Sequence, residues 1–336
     1  MSTIDTRAAD FDGRHITVSA DDGVPLAVRE FGAADAPVTV VFVHGHCLRA
    51  ESWAFMRGHL LRTWGDDTHM VFYDHRGHGD SGAADPSTYT IEQLARDLDA
   101  VLRAVVPTGP VVLVGHSMGA MTVLAYARLY PETIGTRVVG IGLLSSAASG
   151  VTRVGLGRLL SAPAVSSLRV AVRRAPRAMQ ASKHLSRRIF EPIMRDATLG
   201  TRKVSPRMLA VATAMLNDTS LLTMASFLES LMRFDESATL HRLGMIPVLV
   251  LAGSADIMIP FAHSVVLASQ VDDAELVRLD GAGHSVILER AEEVAAAVVA
   301  LVARAIAAGR TDDTAATRTE DPECGPDCGP EYAIAG

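Results

Sequence analysis

Apolar and polar positions along the chain fall into two alternating patterns, short β-branched runs and longer stretches with helical spacing. Val38-Thr39-Val40-Val41-Phe42-Val43 is an unbroken β-branched run, the mark of a strand buried on both faces. Residues 69–73, 111–114, 137–144, 247–252 and 275–279 read as further strands. Between and after them, residues 53–63, 90–105, 120–129 and 291–307 carry apolar side chains at helical intervals. Thr90 is the expected N-cap of its helix, with Gln93 as capping-box partner. Near the start, residues 15–20 and 26–31 flank Asp21-Asp22-Gly23, which predicts an antiparallel hairpin.

Strands alternating with helices predict an α/β fold, a mostly parallel sheet with helices on both faces. The alternation breaks after Ser145-Ser146, and helix-like pieces punctuated by Pro163, Pro176, Pro192 and Pro206 take over. Residues 147–241 are therefore expected to be an insertion, a helical cap, within one domain made of residues 12–146 and 242–308. Residues 1–11 form a polar tail, and residues 309–336, where the apolar pattern ends, are expected to be disordered.

Composition narrows the class. Of the 336 residues 49% are hydrophobic, ample for a buried core. Residues 1–13 are polar and acidic, so no secretory signal is expected, and the uncharged run 294–303 is too short to cross a bilayer. Three cysteines, Cys47, Cys324 and Cys328, make no disulfide framework. A reducing cytoplasm is the expected compartment. Cys324 and Cys328 lack Cys-x-x-Cys spacing and a second ligand pair, so they predict no metal site.

The net charge of −7 hides an asymmetry: residues 151–207 hold 13 Lys/Arg against Glu191 and Asp196, a balance of +11, which leaves −18 for the remainder. Arg169, Arg173, Arg174, Arg177, Lys183, Arg187 and Arg188 alternate there with apolar residues. This segment either lies on anionic lipid, receives an anionic substrate, or is a solvated basic face. No nucleic-acid partner is expected.

The candidate chemistry centres on Gly115-His116-Ser117-Met118-Gly119, which follows the run 111–114 and opens the helix 120–129. A strand, a sharp turn and a helix would push Ser117 out with its hydroxyl exposed. A serine hydroxyl needs a base, oriented by a third group, to become a nucleophile. His284, in Gly281-Ala282-Gly283-His284, and Asp256, in Gly253-Ser254-Ala255-Asp256, follow the last two strands. In a parallel sheet these loops share the carboxyl edge with Ser117, giving the order nucleophile, acid, base. Asp280 is a rival acid, but bridging to His284 from so close would strain the loop. Backbone amides of Met118, after the nucleophile, and His46, in the loop after the third strand, are placed to bind an oxyanion, and Gly45 would let that loop approach closely.

His44-Gly45-His46, the block Asp74-His75-Arg76-Gly77-His78-Gly79-Asp80-Ser81, Gly115 to Gly119, the segment from Gly253 to Pro260 and Gly283-His284 through Glu289 together resemble the successive blocks of the α/β-hydrolase superfamily, over roughly residues 12–308. The motif blocks are similar to those of the cofactor-free haloperoxidase and epoxide-hydrolase branch. The resemblance implies an eight-stranded, mostly parallel sheet with a helical cap after the sixth strand, and Ser117 as nucleophile, Asp256 as acid and His284 as base. Relatives acting on epoxides or haloalkanes carry aspartate at the nucleophile position; Ser117 argues against those chemistries. His44, His46, His75 and His78 could suggest a metal, but the resemblance implies instead that His44 and the 74–81 loop knit the site's floor by hydrogen bonds. No metal and no cofactor are expected.

The expected activity is hydrolysis of a carboxylic ester with an apolar acyl part. Met215, Met224, Phe227 and Met258 are candidates to line the acyl site, with the cap's own core as the alternative role for those in the insertion. A thioesterase, a carbon-carbon bond hydrolase, an acyltransferase or a haloperoxidase-like enzyme would use the same triad. A ligand-binding protein on this fold would be signalled by a lost triad member, and none is lost.

Overall fold

A computed structural model of the chain describes residues 13–154, 167, 170–172, 174–175 and 206–316. The N-terminal tail, most of the basic segment 151–207, Cys324 and Cys328 lie outside the described residues.

The strands are β1 (Arg14–Ser19), β2 (Pro25–Phe31), β3 (Thr39–Val43), β4 (His69–Tyr73), β5 (Val111–His116), β6 (Val138–Leu144), β7 (Val248–Gly253) and β8 (Glu275–Leu279). They form one eight-stranded sheet in the order β1-β2-β4-β3-β5-β6-β7-β8. β2 pairs antiparallel with both its neighbours, and the pairs from β4 across to β8 are parallel. The expected hairpin joins β1 to β2, with Gly23 at φ +84° in its turn.

Alternate side chains of each central strand enter opposite cores. Val41 and Val43 face one with α2 (Ile91–Val105) and α3 (Met118–Leu129), while Val40 and Phe42 face the other with α1 (Ala54–Trp64) and a long C-terminal helix (Ala291–Ala316). That second side is knit by Phe42, which stacks on Phe72 at 4.5 Å and packs against Trp53 at 5.3 Å. The C-terminal helix runs past residue 309, where the sequence pattern placed the start of the tail. A helical ladder propagates from a packed helix without further apolar contacts. Thr90 caps α2 as expected, accepting from the Gln93 amide at 3.1 Å, but the Gln93 side chain donates to Asp97 at 3.3 Å instead of reaching back.

Two features position the site. β3 is followed by a helix on one face of the sheet and its neighbour β5 by a helix on the other, so the loops leaving their carboxyl ends diverge and open a crevice. Between β6 and β7 the described residues include two helices, α4 (Pro206–Asp218) and α5 (Leu221–Met232). α5 seats Phe227, fully buried, against Tyr89 at 5.1 Å and His78 at 5.5 Å. No helix among the described residues is long and apolar enough to cross a membrane.

Candidate active site

β5 gives way to α3 within one residue, which places Ser117 at φ +54° and ψ −117°. This left-handed conformation costs a side-chain-bearing residue about 1–3 kcal/mol and persists only where the surroundings impose it. They do so here: a Cβ at Gly119 would stand 2.0 Å from the Val43 carbonyl oxygen, so only glycine lets α3 begin against the end of β3.

The three side chains expected to converge are brought together. Ser117 Oγ lies 2.9 Å from His284 Nε2, and His284 Nδ1 lies 2.7 Å from Asp256 Oδ2. Asp256 turns its other oxygen, Oδ1, to the amides of Met258 at 2.8 Å and Ile259 at 2.9 Å, which fixes the carboxylate plane. A carboxylate can only accept, so Nδ1 of His284 carries the proton and Nε2 is left to accept from the serine. Burial pulls the imidazole pKa down, but the charge of Asp256 and its hydrogen bond outweigh that, and the pKa stands above the usual 6.5. Asp280, the rival acid, is exposed and pairs with Arg278 at 3.0 Å.

Met118 opens α3, where the first amides of a helix have no intrahelical acceptor. Among the described residues neither the Met118 nor the His46 amide donates to a protein acceptor. The aim of the His46 amide follows from its neighbours. The His75 amide donates to His44 Nε2 at 3.0 Å, so His44 carries its proton on Nδ1 and donates it to the Gly45 carbonyl at 2.8 Å. The Leu48 amide holds the same oxygen at 3.2 Å. In a planar trans peptide the His46 N–H points opposite to that carbonyl, so fixing the oxygen fixes the donor. The approach to the nucleophile is close: a Cβ at Gly45 would meet Ser117 Cβ at 3.2 Å.

The loop after β4 braces this arrangement at three more points. His75 Nε2 donates to the His44 carbonyl at 3.0 Å, His78 Nε2 accepts from the Cys47 amide at 3.2 Å, and Asp74 Oδ1 accepts from the Ala50 amide at 2.7 Å. Burial pushes the Asp74 carboxyl up to about 7. Burial likewise holds His75 at about 3 and His46 at about 4, the latter against a hydrogen bond to the Met224 backbone that raises it. All four histidines that suggested a metal thus bind backbone groups, and His44, His75 and His78 form the hydrogen-bonded floor that the resemblance implied. Among the described residues no three His, Cys, Asp or Glu side chains form a metal-binding group.

The same loop is anchored from below by Arg76, which meets Asp97 through two bonds of 2.6 Å, Asp22 at 2.7 and 3.0 Å, and Thr88 Oγ1 at 2.9 Å. Burial acts against the charged guanidinium, but its bonds to Asp97 and Asp22 prevail and its pKa is raised. Removing one partner of a buried pair strands the other, so Arg76→Ala should lower the free energy of unfolding by about 3–5 kcal/mol. Urea denaturation would read this as a lower midpoint at unchanged slope; a loss under about 1 kcal/mol would refute the anchoring role.

The candidates for the acyl site are spread differently. Met215 and Phe227 are buried, and Phe227 packs edge-on to His46 at 6.1 Å as well as on the floor, whereas Met224 and Met258 are half-buried. Sequence reasoning missed the Met258 and Ile259 amides, although an Asp two and three residues ahead of amides in a turn is a recurring local signal. It also missed the Arg76 and Asp97 pair, which has no local signature.

Comparison with known proteins agrees with the fold. Residues 40–297 match the alpha/beta hydrolase family. The proline iminopeptidase PfmaB of Pestalotiopsis fici is 26% identical over 271 residues, 80% of this chain and 92% of that one. Among solved structures, a thermophilic esterase from Thermogutta terrifontis superposes with a TM-score of 0.70 at 23% identity, covering 87% of this chain and 99% of that one. A bromoperoxidase from Bacillus anthracis gives 0.69 at 18% identity, covering 86% and 99%. At these identities the structural likeness speaks to fold; on the family match, which spans most of its length, the chain belongs to the alpha/beta hydrolase family.

Proposed function

We propose that this protein is a serine hydrolase that cleaves a carboxylic ester with an apolar acyl part through an acyl-enzyme. The observation that carries the reading is the unbroken hydrogen-bonded line from Ser117 Oγ through His284 to Asp256. Ser117 Oγ attacks the ester carbonyl carbon as its proton passes to His284 Nε2. The developing oxyanion is received by the amides of His46 and Met118, each such donor being typically worth about 10²–10³ in rate. His284 hands the proton to the leaving alkoxide, the C–O bond breaks, and the acyl group stays on Ser117. Water then attacks, gives a proton to His284, and the acid leaves as Ser117 recovers its hydrogen. Asp256 keeps the imidazole in its tautomer and stabilises the transient cation. The chemistry asks for no cofactor.

That several structural neighbours are esterases supports the ester reading over the thioester, carbon-carbon and acyl-transfer alternatives. Half-buried Met224 and Met258 are the candidates to touch the acyl chain, while Met215 and Phe227 are buried. The test is a panel of p-nitrophenyl esters of graded chain length with one thioester and one lactone. Preferred turnover of the esters, with kcat/KM rising with acyl length, is expected. A preference for the thioester would move the substrate class, and no turnover of any substrate would overturn the reading.

A further inference from the structure

His116, the last residue of β5 and the one before the nucleophile, makes a contact that the triad does not require. Its Nε2 lies 3.0 Å from the backbone carbonyl of His284, a residue 168 positions away. A carbonyl only accepts, so His116 carries its proton on Nε2. Nδ1 is bare, buried and without a partner among the described residues. The ring is tilted against that of His284, with centroids 5.3 Å apart, and stands edge-on to Trp53 at 6.5 Å. On its far side a Cβ at Gly45 would meet His116 Nδ1 at 2.9 Å, so the loop bearing the His46 amide rests on it too.

One imidazole therefore adjoins the nucleophile through the chain, the base through a hydrogen bond and the oxyanion loop through packing. We propose that His116 is a positioning residue that holds the main chain of His284 over Ser117, so that Nε2 of the base stays within reach of Oγ. The proposal rests on the reading of His284 as the base. The residue before the nucleophile is carried wherever the strained turn carries Ser117, and through its donated bond the His284 loop is carried with it. A tether elsewhere on that loop would not track the nucleophile in this way. Burial, and then the charge of a protonated His284, push His116 down to about 3, so it stays neutral and keeps this single tautomer while His284 titrates.

The experiment compares His116→Phe, which keeps a ring and loses the donor, with His116→Gln, whose amide can donate over a similar reach. Steady-state kinetics on p-nitrophenyl butyrate are measured beside wild type and His284→Ala, with circular dichroism to confirm folding. A misplacement on the order of 1 Å costs about 10²-fold, so His116→Phe should lose between about 10- and 100-fold in kcat with KM within about twofold. His116→Gln should recover to within about fivefold of wild type, on the strength of the restored hydrogen bond. If His116→Phe does not fold, His116→Met takes its place against the glutamine variant. Wild-type kcat in the apolar variant, an effect confined to KM, or equal losses in both variants would overturn the proposal. The control separates the two readings: turnover by His284→Ala close to wild type would remove the base itself, whereas an inactive His284→Ala beside a fully active His116→Phe would remove only the role of His116.

Discussion

Ser117→Ala is expected to lower kcat on p-nitrophenyl esters by about 10⁴–10⁶-fold, because removing the nucleophile disables a unit that acts as a whole. The His46 and Met118 amides and the binding site would remain, so residual turnover of about 10³–10⁴ over water is expected. Ser117 sits in a left-handed conformation imposed by Gly119 and Val43, and alanine fits the space it leaves, so the fold should be unchanged. A fluorophosphonate should label the wild type and leave the variant unlabelled. Near-normal hydrolysis by the variant would falsify the assignment.

Asp256→Asn should cost about 10⁴-fold in kcat, and the local hydrogen bonds dictate why. The Met258 and Ile259 amides both donate to the Oδ1 position. An asparagine there must turn its oxygen to them and its NH₂ to His284 Nδ1. The imidazole then keeps its proton on Nε2 and can no longer accept from Ser117. The pH profile gives a second reading. The base works when neutral, so wild-type kcat/KM should fall as pH drops through a pKa above 6.5. Without the carboxylate charge, the influence of burial remains and the acid limb of Asp256→Asn should move to lower pH. A variant within tenfold of wild type, with its acid limb in place, would mean that another group orients His284.

Much of this is legible in the sequence. The β-branched runs of β3 and β5 have no good alternative to a buried strand, and the polar residue where such a run stops is where a parallel sheet exposes chemistry. Ser117, Asp256 and His284 could be picked out because each follows a strand at the same edge. What escaped was of another kind. The bond from His116 to the His284 carbonyl and the bonds of Arg76 to Asp97 and Asp22 join residues far apart in the chain, and histidine, arginine and aspartate have too many ordinary uses for type alone to reveal a partner. The Gln93 side chain shows the limit of local rules, since a capping glutamine and one drawn to an aspartate a turn later look alike in sequence. Phe227 shows another: an apolar residue in a helix between β6 and β7 could line a cavity or fill one, and only its seat on Tyr89, His78 and His46 distinguishes the two.

The bonds between residues 44–50 and the loop after β4 carry a lesson for engineering. Asp74, His75 and His78 each hold a main-chain group of the other segment or offer their own to it, so the proposed donor for the oxyanion, the His46 amide, is shaped by a stretch that contributes no member of the Ser117, His284 and Asp256 line. Transplanting the first segment from a relative, in order to widen or change selectivity, would leave its amides facing strangers. The two segments form one exchangeable cassette, and a library that varies either should vary both.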